Sequence, residues 1–199
     1  RGGLSKAAAR IRARELFGLV GLDAGRLRHY PHEFSGGMKQ RAVIAMALAL
    51  QPKLVIADEP VTALDVIVQE QVLEVIRDLQ ARLGISVIMI THDMSVVAQT
   101  CHDVVVMYAG NVVESGPVSI IFRRPAHPYT MGLARAFPNL LQPRPLVAIE
   151  GHPPGILHAP PGCKFAPRCP FALDICRAEA PRYLPLDPGH RVACHRMQD

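Results

Sequence analysis

The residues best suited to chemistry stand at the ends of short apolar runs. Leu54-Val-Ile-Ala-Asp58-Glu59-Pro60 closes such a run on two adjacent carboxylates and a proline. The run reads as a buried strand, and ligands of open α/β sheets sit at the carboxyl ends of strands. Asp58 can hold Mg²⁺ there through the ion's water shell. Glu59 can accept the hydrogen bond of an attacking water. The bland alternative is a turn carrying two solvated acids. Val87-Ile-Met-Ile90 is a second apolar run, and Thr91-His92-Asp93 follows it. His92 at that strand end can reach a phosphate or orient a water, although a lone histidine also serves structure alone.

A third candidate is Phe34-Ser35-Gly36-Gly37-Met38, which opens a helix expected over 36–50. Two glycines let a phosphate approach the backbone. A helix N-terminus offers free N–H groups and partial positive charge. Ser35 adds a hydroxyl, and Lys39 and Arg41 add to the local positive field. An ordinary serine cap before a turn explains the same residues. Asp65, in Thr62-Ala63-Leu64-Asp65, suits the cap of the helix after it.

These positions need elements to hold them. Helical spacing runs from Ser5 to about Val20, and Val68, Val72, Val75, Ile76, Leu79 and Leu83 mark a helix over 66–83. Residues 104–108 and 112–113, around Gly110-Asn111, read as a hairpin. Short apolar strands alternating with amphipathic helices predict an α/β layer with parallel strands.

Composition limits the classes. The 199 residues are 49% hydrophobic and 20% charged, with 22 Lys+Arg against 17 Asp+Glu for a net charge of +5. That apolar content excludes disorder along the whole chain. No apolar run approaches the roughly 20 residues that a spanning helix needs, and no secretory signal opens the chain. Residues 1–50 carry nine basic and three acidic groups, a net of +6. Arg10, Arg12 and Arg14 fit a solvated helix face opposite Ile11, Leu16 and Leu19, and no nucleic-acid partner is expected.

Proline marks a change of character. Three of the 18 prolines lie in residues 1–100, and twelve lie after Phe137. The same tail holds Cys163, Cys169, Cys176 and Cys194, with gaps of five, six and seventeen residues. It reads as irregular backbone held by something other than a large core. Structural zinc favours tighter ligand pairs. His190 and His195 flank Cys194 and could replace a thiolate in a zinc site. Cys101 reads as a buried small hydrophobe.

The order of the motifs is more specific than any one of them. Ser-Gly-Gly on a helix, strand-Asp-Glu-Pro, Ala-Leu-Asp and strand-Thr-His-Asp resemble the ATPase subunits of ABC transporters. Ser35–Gly37 resembles their signature motif, Asp58-Glu59 the Walker B pair, Thr62–Asp65 the D-loop and His92 the switch histidine. Tyr30-Pro-His-Glu-Phe-Ser-Gly-Gly-Met-Lys-Gln-Arg41, Ala109-Gly-Asn-Val-Val-Glu114, His127-Pro-Tyr-Thr130 and the cysteine tail are similar to the oligopeptide/dipeptide branch. Phe34 and Met38 depart from the Leu-Ser-Gly-Gly-Gln pattern but keep the serine and both glycines.

The resemblance implies the C-terminal part of a P-loop NTPase domain over residues 1–136, followed by a Cys/Pro-rich extension over 137–199. It implies ATP and Mg²⁺ as cofactors. Glu59 and His92 would be catalytic, Ser35, Gly36, Gly37, Asp58 and Asp65 would bind the nucleotide, and a head-to-tail second ATPase would be a partner. Permease subunits, an extracytoplasmic solute-binding protein and the cytoplasmic face of the membrane complete the expectation. The four tail cysteines would hold a [4Fe-4S] cluster, with zinc as the alternative. No Gly-x-x-x-x-Gly-Lys-Ser/Thr occurs, and the first residue is Arg, so the phosphate loop is expected upstream of Arg1. The rivals are an ABC-type DNA-repair ATPase and a non-catalytic metal-binding module.

Overall fold

Capping decides where the helices of the first half begin. The Ser5 hydroxyl accepts the Ala8 N–H at 3.2 Å and opens α1, Lys6–Leu19. Ser35 accepts the Met38 N–H at 3.3 Å and opens α2, Gly36–Ala47. Asp65 accepts the Val68 N–H at 2.9 Å and opens α3, Val66–Leu83, which ends at Gly84 with φ of 62°. α2 stops short of the expected Leu50. Pro52 disfavours the helical region for Gln51, which turns at φ of 52°.

The structure is a computed structural model that describes residues 3–136, 149–155 and 161–198. It divides into two compact units, residues 1–92 and 93–199. The boundary expected near 137 falls outside the described residues.

In the first unit, β1 (Leu54–Asp58) and β2 (Ser86–Ile90) pair in parallel, from Leu54 opposite Ser86 to Asp58 opposite Ile90. Leu16, Val20, Leu22, Ala45, Leu48 and Leu79 form the core beside Val55, Val75 and Ile85. The strands are less buried than expected. Ile56 is 64% exposed and Ile90 50%, because among the described residues only the Val55 face meets the helices. Arg10 and Arg14 are exposed as expected, but so is Ile11.

In the second unit, α4 (Met94–Thr100) precedes an antiparallel hairpin of β3 (Asp103–Tyr108) and β4 (Asn111–Pro117). α5 (Val118–Arg123) and α6 (Pro128–Ala136) follow. The tail is more ordered than its prolines suggest. It forms α7 (Ile175–Ala178), β5 (Leu184–Asp187) and β6 (His190–Val192). The two strands extend the hairpin into a sheet of order β3-β4-β6-β5. Its core is Val106, Tyr108, Val113, Ile121 and Phe165. Tyr108, Tyr129 and Phe165 stack around one another with ring centroids 4.8–5.4 Å apart.

Candidate functional site

Parallel pairing brings the polar ends of β1 and β2 together. The Glu59 N–H donates to the Ile90 carbonyl at 2.9 Å, which continues the ladder one residue past Asp58. Glu59 takes φ of 47°, a left-handed conformation that costs a side-chain-bearing residue energy and recurs at functional sites. From there its carboxylate reaches across to the residue after β2. Glu59 Oε1 lies 2.7 Å from His92 Nδ1. An ionised carboxylate can only accept, so Nδ1 carries the proton in this pair. Thr62 Oγ1 donates to Glu59 Oε2 at 2.6 Å. The two bonds, Thr62's first and then His92's, lower the Glu59 pKa from its ordinary value. Asp58 is exposed at the end of β1. The strand ends therefore carry a free carboxylate beside a carboxylate–imidazole pair at the surface, an arrangement suited to a hydrated cation and a polarised water.

Ser35, Gly36 and Gly37 make a second cluster, and its contacts explain much of it without a ligand. Ser35 caps its own helix through Met38, which leaves the hydroxyl proton free to donate. A Cβ on Gly37 would fall 2.4 Å from Val68 Cγ1, and one on Gly36 3.1 Å from Leu64 Cδ2. Gly37 is a glycine because α2 packs tightly on the first turn of α3. Ser35 and Gly36 are exposed, so the open N-terminus of a 12-residue helix has the chemistry to meet a phosphate. The Ser35 carbonyl also accepts the Lys39 N–H at 2.9 Å. Asp65 serves as the α3 cap.

The four tail cysteines converge. Cys163, Cys169, Cys176 and Cys194 line one small cavity, together with Phe165, His127 and Pro181. The Cys163 N–H donates to the Cys176 carbonyl at 2.8 Å. Gly162 makes that crossing possible, since a Cβ there would stand 2.4 Å from the same oxygen. Burial raises the thiol pKa of Cys163, Cys169 and Cys194. All four are free thiols. Lining a common cavity is a weaker condition than ligand geometry, and among the described residues no three His, Cys, Asp or Glu are grouped so as to hold a metal ion. The donor set suits a metal, but its arrangement here does not close into a ligand shell.

The histidines expected as alternative ligands are engaged elsewhere. His195 Nε2 lies 3.0 Å from the Glu179 carbonyl. His190 is buried, with Nε2 2.7 Å from Glu114 Oε1. Glu114 also accepts the Ala126 N–H at 2.7 Å and the His127 N–H at 2.9 Å. His127 Nδ1 accepts the Tyr129 N–H at 3.0 Å, and burial, opposed by the Glu114 charge, pushes the His127 pKa down to about 4. Sequence reasoning missed this network, although Glu114 and His127 sit in motifs it had singled out. Cys101 is half-buried, near the Thr100 hydroxyl, rather than fully inside.

Comparison with known proteins bears on the same residues. Residues 5–62 match the ABC transporter family, and residues 113–176 match the C-terminal region of oligopeptide/dipeptide transporters. A dimeric ATP-binding cassette, MJ0796, solved with ADP and Pi bound, is 31% identical and superposes with a TM-score of 0.52 over 59% of this chain and 50% of its own. The fold is thus that of part of an ABC ATPase. The probable peptide ABC transporter ATP-binding protein y4tR of Sinorhizobium fredii is 48% identical over 100% of this chain and 60% of its own length. The dipeptide transport ATP-binding protein DppD of Escherichia coli is 47% identical over 99% and 61%. The chain belongs to the ABC transporter ATP-binding subunits of the oligopeptide/dipeptide type, and spans about 60% of the length of these relatives.

Proposed function

We propose that the whole protein is the ATP-hydrolysing subunit that powers import of peptides or related solutes by an ABC transporter. The observation that carries the reading is the Glu59–His92 pair at the ends of two parallel strands, with Asp58 exposed beside it. Glu59 accepts a proton-side hydrogen bond from water, and His92 holds the carboxylate and turns its other ring nitrogen toward a γ-phosphate. Asp58 would hold Mg²⁺ through the ion's water shell, and the ion would neutralise phosphate charge. Ser35 donates its hydroxyl, and the N–H groups of Gly36 and Gly37 the positive end of α2, to ATP held by a second ATPase subunit. Asp65 fixes the start of α3, against which that signature turn packs.

The same reading divides the chain into an ATPase part, residues 1–136, and an accessory tail, residues 137–199. It places the subunit at the cytoplasmic face of the membrane against permease subunits, with a solute-binding protein outside. Among the described residues no helix is long and apolar enough to cross a membrane, which fits peripheral attachment. The finer reading of the tail is that Cys163, Cys169, Cys176 and Cys194 hold an iron–sulfur cluster, supported by four thiols around one cavity. Anaerobic purification should then give a brown protein with about four iron and four sulfide per chain. Stoichiometric zinc, or no metal, overturns that assignment.

The test of the main reading compares two proteins. The 199-residue chain contains no phosphate-loop motif, so calorimetry should find no tight MgATP binding to it. The full-length subunit should bind and hydrolyse MgATP. Micromolar ATP binding to the shorter chain, or no hydrolysis by the longer one, contradicts the reading.

A further inference from the structure

The Glu59 carboxylate is held from two sides, and only His92 was singled out for a catalytic part. His92 Nδ1 takes Oε1 at 2.7 Å, and Thr62 Oγ1 takes Oε2 at 2.6 Å. The turn between Glu59 and Thr62 is built to make the second contact. Pro60 pre-sets the backbone at the second position of the turn. The Thr62 N–H returns to the Glu59 carbonyl at 3.3 Å. Pro60 and Val61 are buried, while Thr62 is exposed. The anchored middle of the turn thus aims an exposed hydroxyl back at the carboxylate. Asp65, not Thr62, caps the helix that follows, so the hydroxyl is not needed to start α3.

We propose that Thr62 is a positioning residue for the Glu59 carboxylate, its hydroxyl fixing the rotamer in which Glu59 faces both His92 and the approaching water. The proposal rests on the reading of Glu59 as the base of ATP hydrolysis. Glu59 sits in a left-handed conformation with its side chain 37% exposed, and a single tether to His92 would leave its carboxylate free to swing. Two tethers on opposite oxygens define one orientation and still leave lone pairs on each oxygen for water.

Thr62→Val removes the hydroxyl and keeps the shape, whereas Thr62→Ser keeps the hydroxyl. In the full-length subunit Thr62→Val should lower kcat roughly 10–100-fold, the worth of one hydrogen bond to a charged group, with KM for ATP unchanged. The acid limb of its pH–kcat profile should move to higher pH. Thr62→Ser should restore both. A Thr62→Val enzyme with wild-type kcat and pH profile overturns the proposal. So does a Thr62→Ser enzyme as impaired as Thr62→Val, or a loss confined to KM. A second measurement does not depend on hydrolysis. Carbon-13 titration of the Glu59 carboxyl in the 199-residue chain should give a pKa below that of an ordinary glutamate. That pKa should rise in Thr62→Val and not in Thr62→Ser. No rise in Thr62→Val overturns the positioning role by itself. An inactive wild-type subunit whose Glu59 still responds to Thr62→Val would instead count against the ATPase reading.

Discussion

The two compact units place their polar groups in opposite ways. In residues 1–92 the groups at the strand ends are half-buried (Glu59) or exposed (Thr62 and His92) and bonded to one another. In residues 93–199 Glu114, His127 and His190 are each at most 1% exposed, and Thr130 is buried with its hydroxyl unpartnered among the described residues. A buried carboxylate must be satisfied where it lies, and Glu114 is satisfied by two backbone N–H groups and an imidazole. Its partners come from the loop before α6 and from β6, so the network ties distant parts of the chain to β4. A carboxylate open to water pays less desolvation and can exchange its partners for water. The difference separates polar residues buried within the fold from those at the ends of the strands.

Removing each carboxylate should break the comparison or sharpen it. Glu114→Ala leaves two buried N–H groups and His190 without an acceptor, and loss of one partner from a buried pair costs about 3–5 kcal/mol. Chemical denaturation should show that loss, while Glu59→Gln should leave the denaturation midpoint close to that of the wild type. Equal losses would erase the distinction.

The next effect is pH dependence of stability. His127 titrates near 4 when folded, against an ordinary 6.5, so between those values the unfolded chain binds more protons. Stability is therefore full above 6.5, declines as pH falls toward 4, and levels off below it, by roughly 3 kcal/mol at most. Denaturation midpoints across this range should slope for wild type and flatten for His127→Gln. A third and smaller effect belongs to the first unit. Gly37→Ala forces Val68 or the helix pair to move, at about 1–3 kcal/mol, so it should lower thermal stability even with no nucleotide present. Unchanged stability would mean that Gly37 is not there for packing.

Much of the first unit was legible from residue types. Asp65 before a run of helical apolar spacing marked α3 to the residue, and acids after an apolar run marked the end of β1. Both signals are local. The tail resisted for the opposite reason. β5 is Leu-Pro-Leu-Asp and β6 only His-Arg-Val. Their strand state depends on distant pairing: β6 lies against β4, with Glu114 opposite Val192, and β5 lies against β6. Glu114 was noted only as the end of a motif, since burial of a charge is invisible until its partners are known. Thr62 lay inside a recognised motif, but its bond to Glu59 depends on a turn whose backbone no periodicity reports. The apolar runs were expected to be buried strands. Apolar runs predict a covering layer, and among the described residues only one face has it.

The central claim is that Glu59 serves hydrolysis and not architecture. Glu59→Gln in the full-length subunit keeps the side chain's shape and one hydrogen-bonding oxygen while removing the base. The measurement is steady-state ATP hydrolysis beside the amount of ATP retained and the oligomeric state. The account predicts turnover reduced about 10²–10⁴-fold, with ATP trapped in a closed dimer of normal stability. Turnover close to that of the wild type would contradict it.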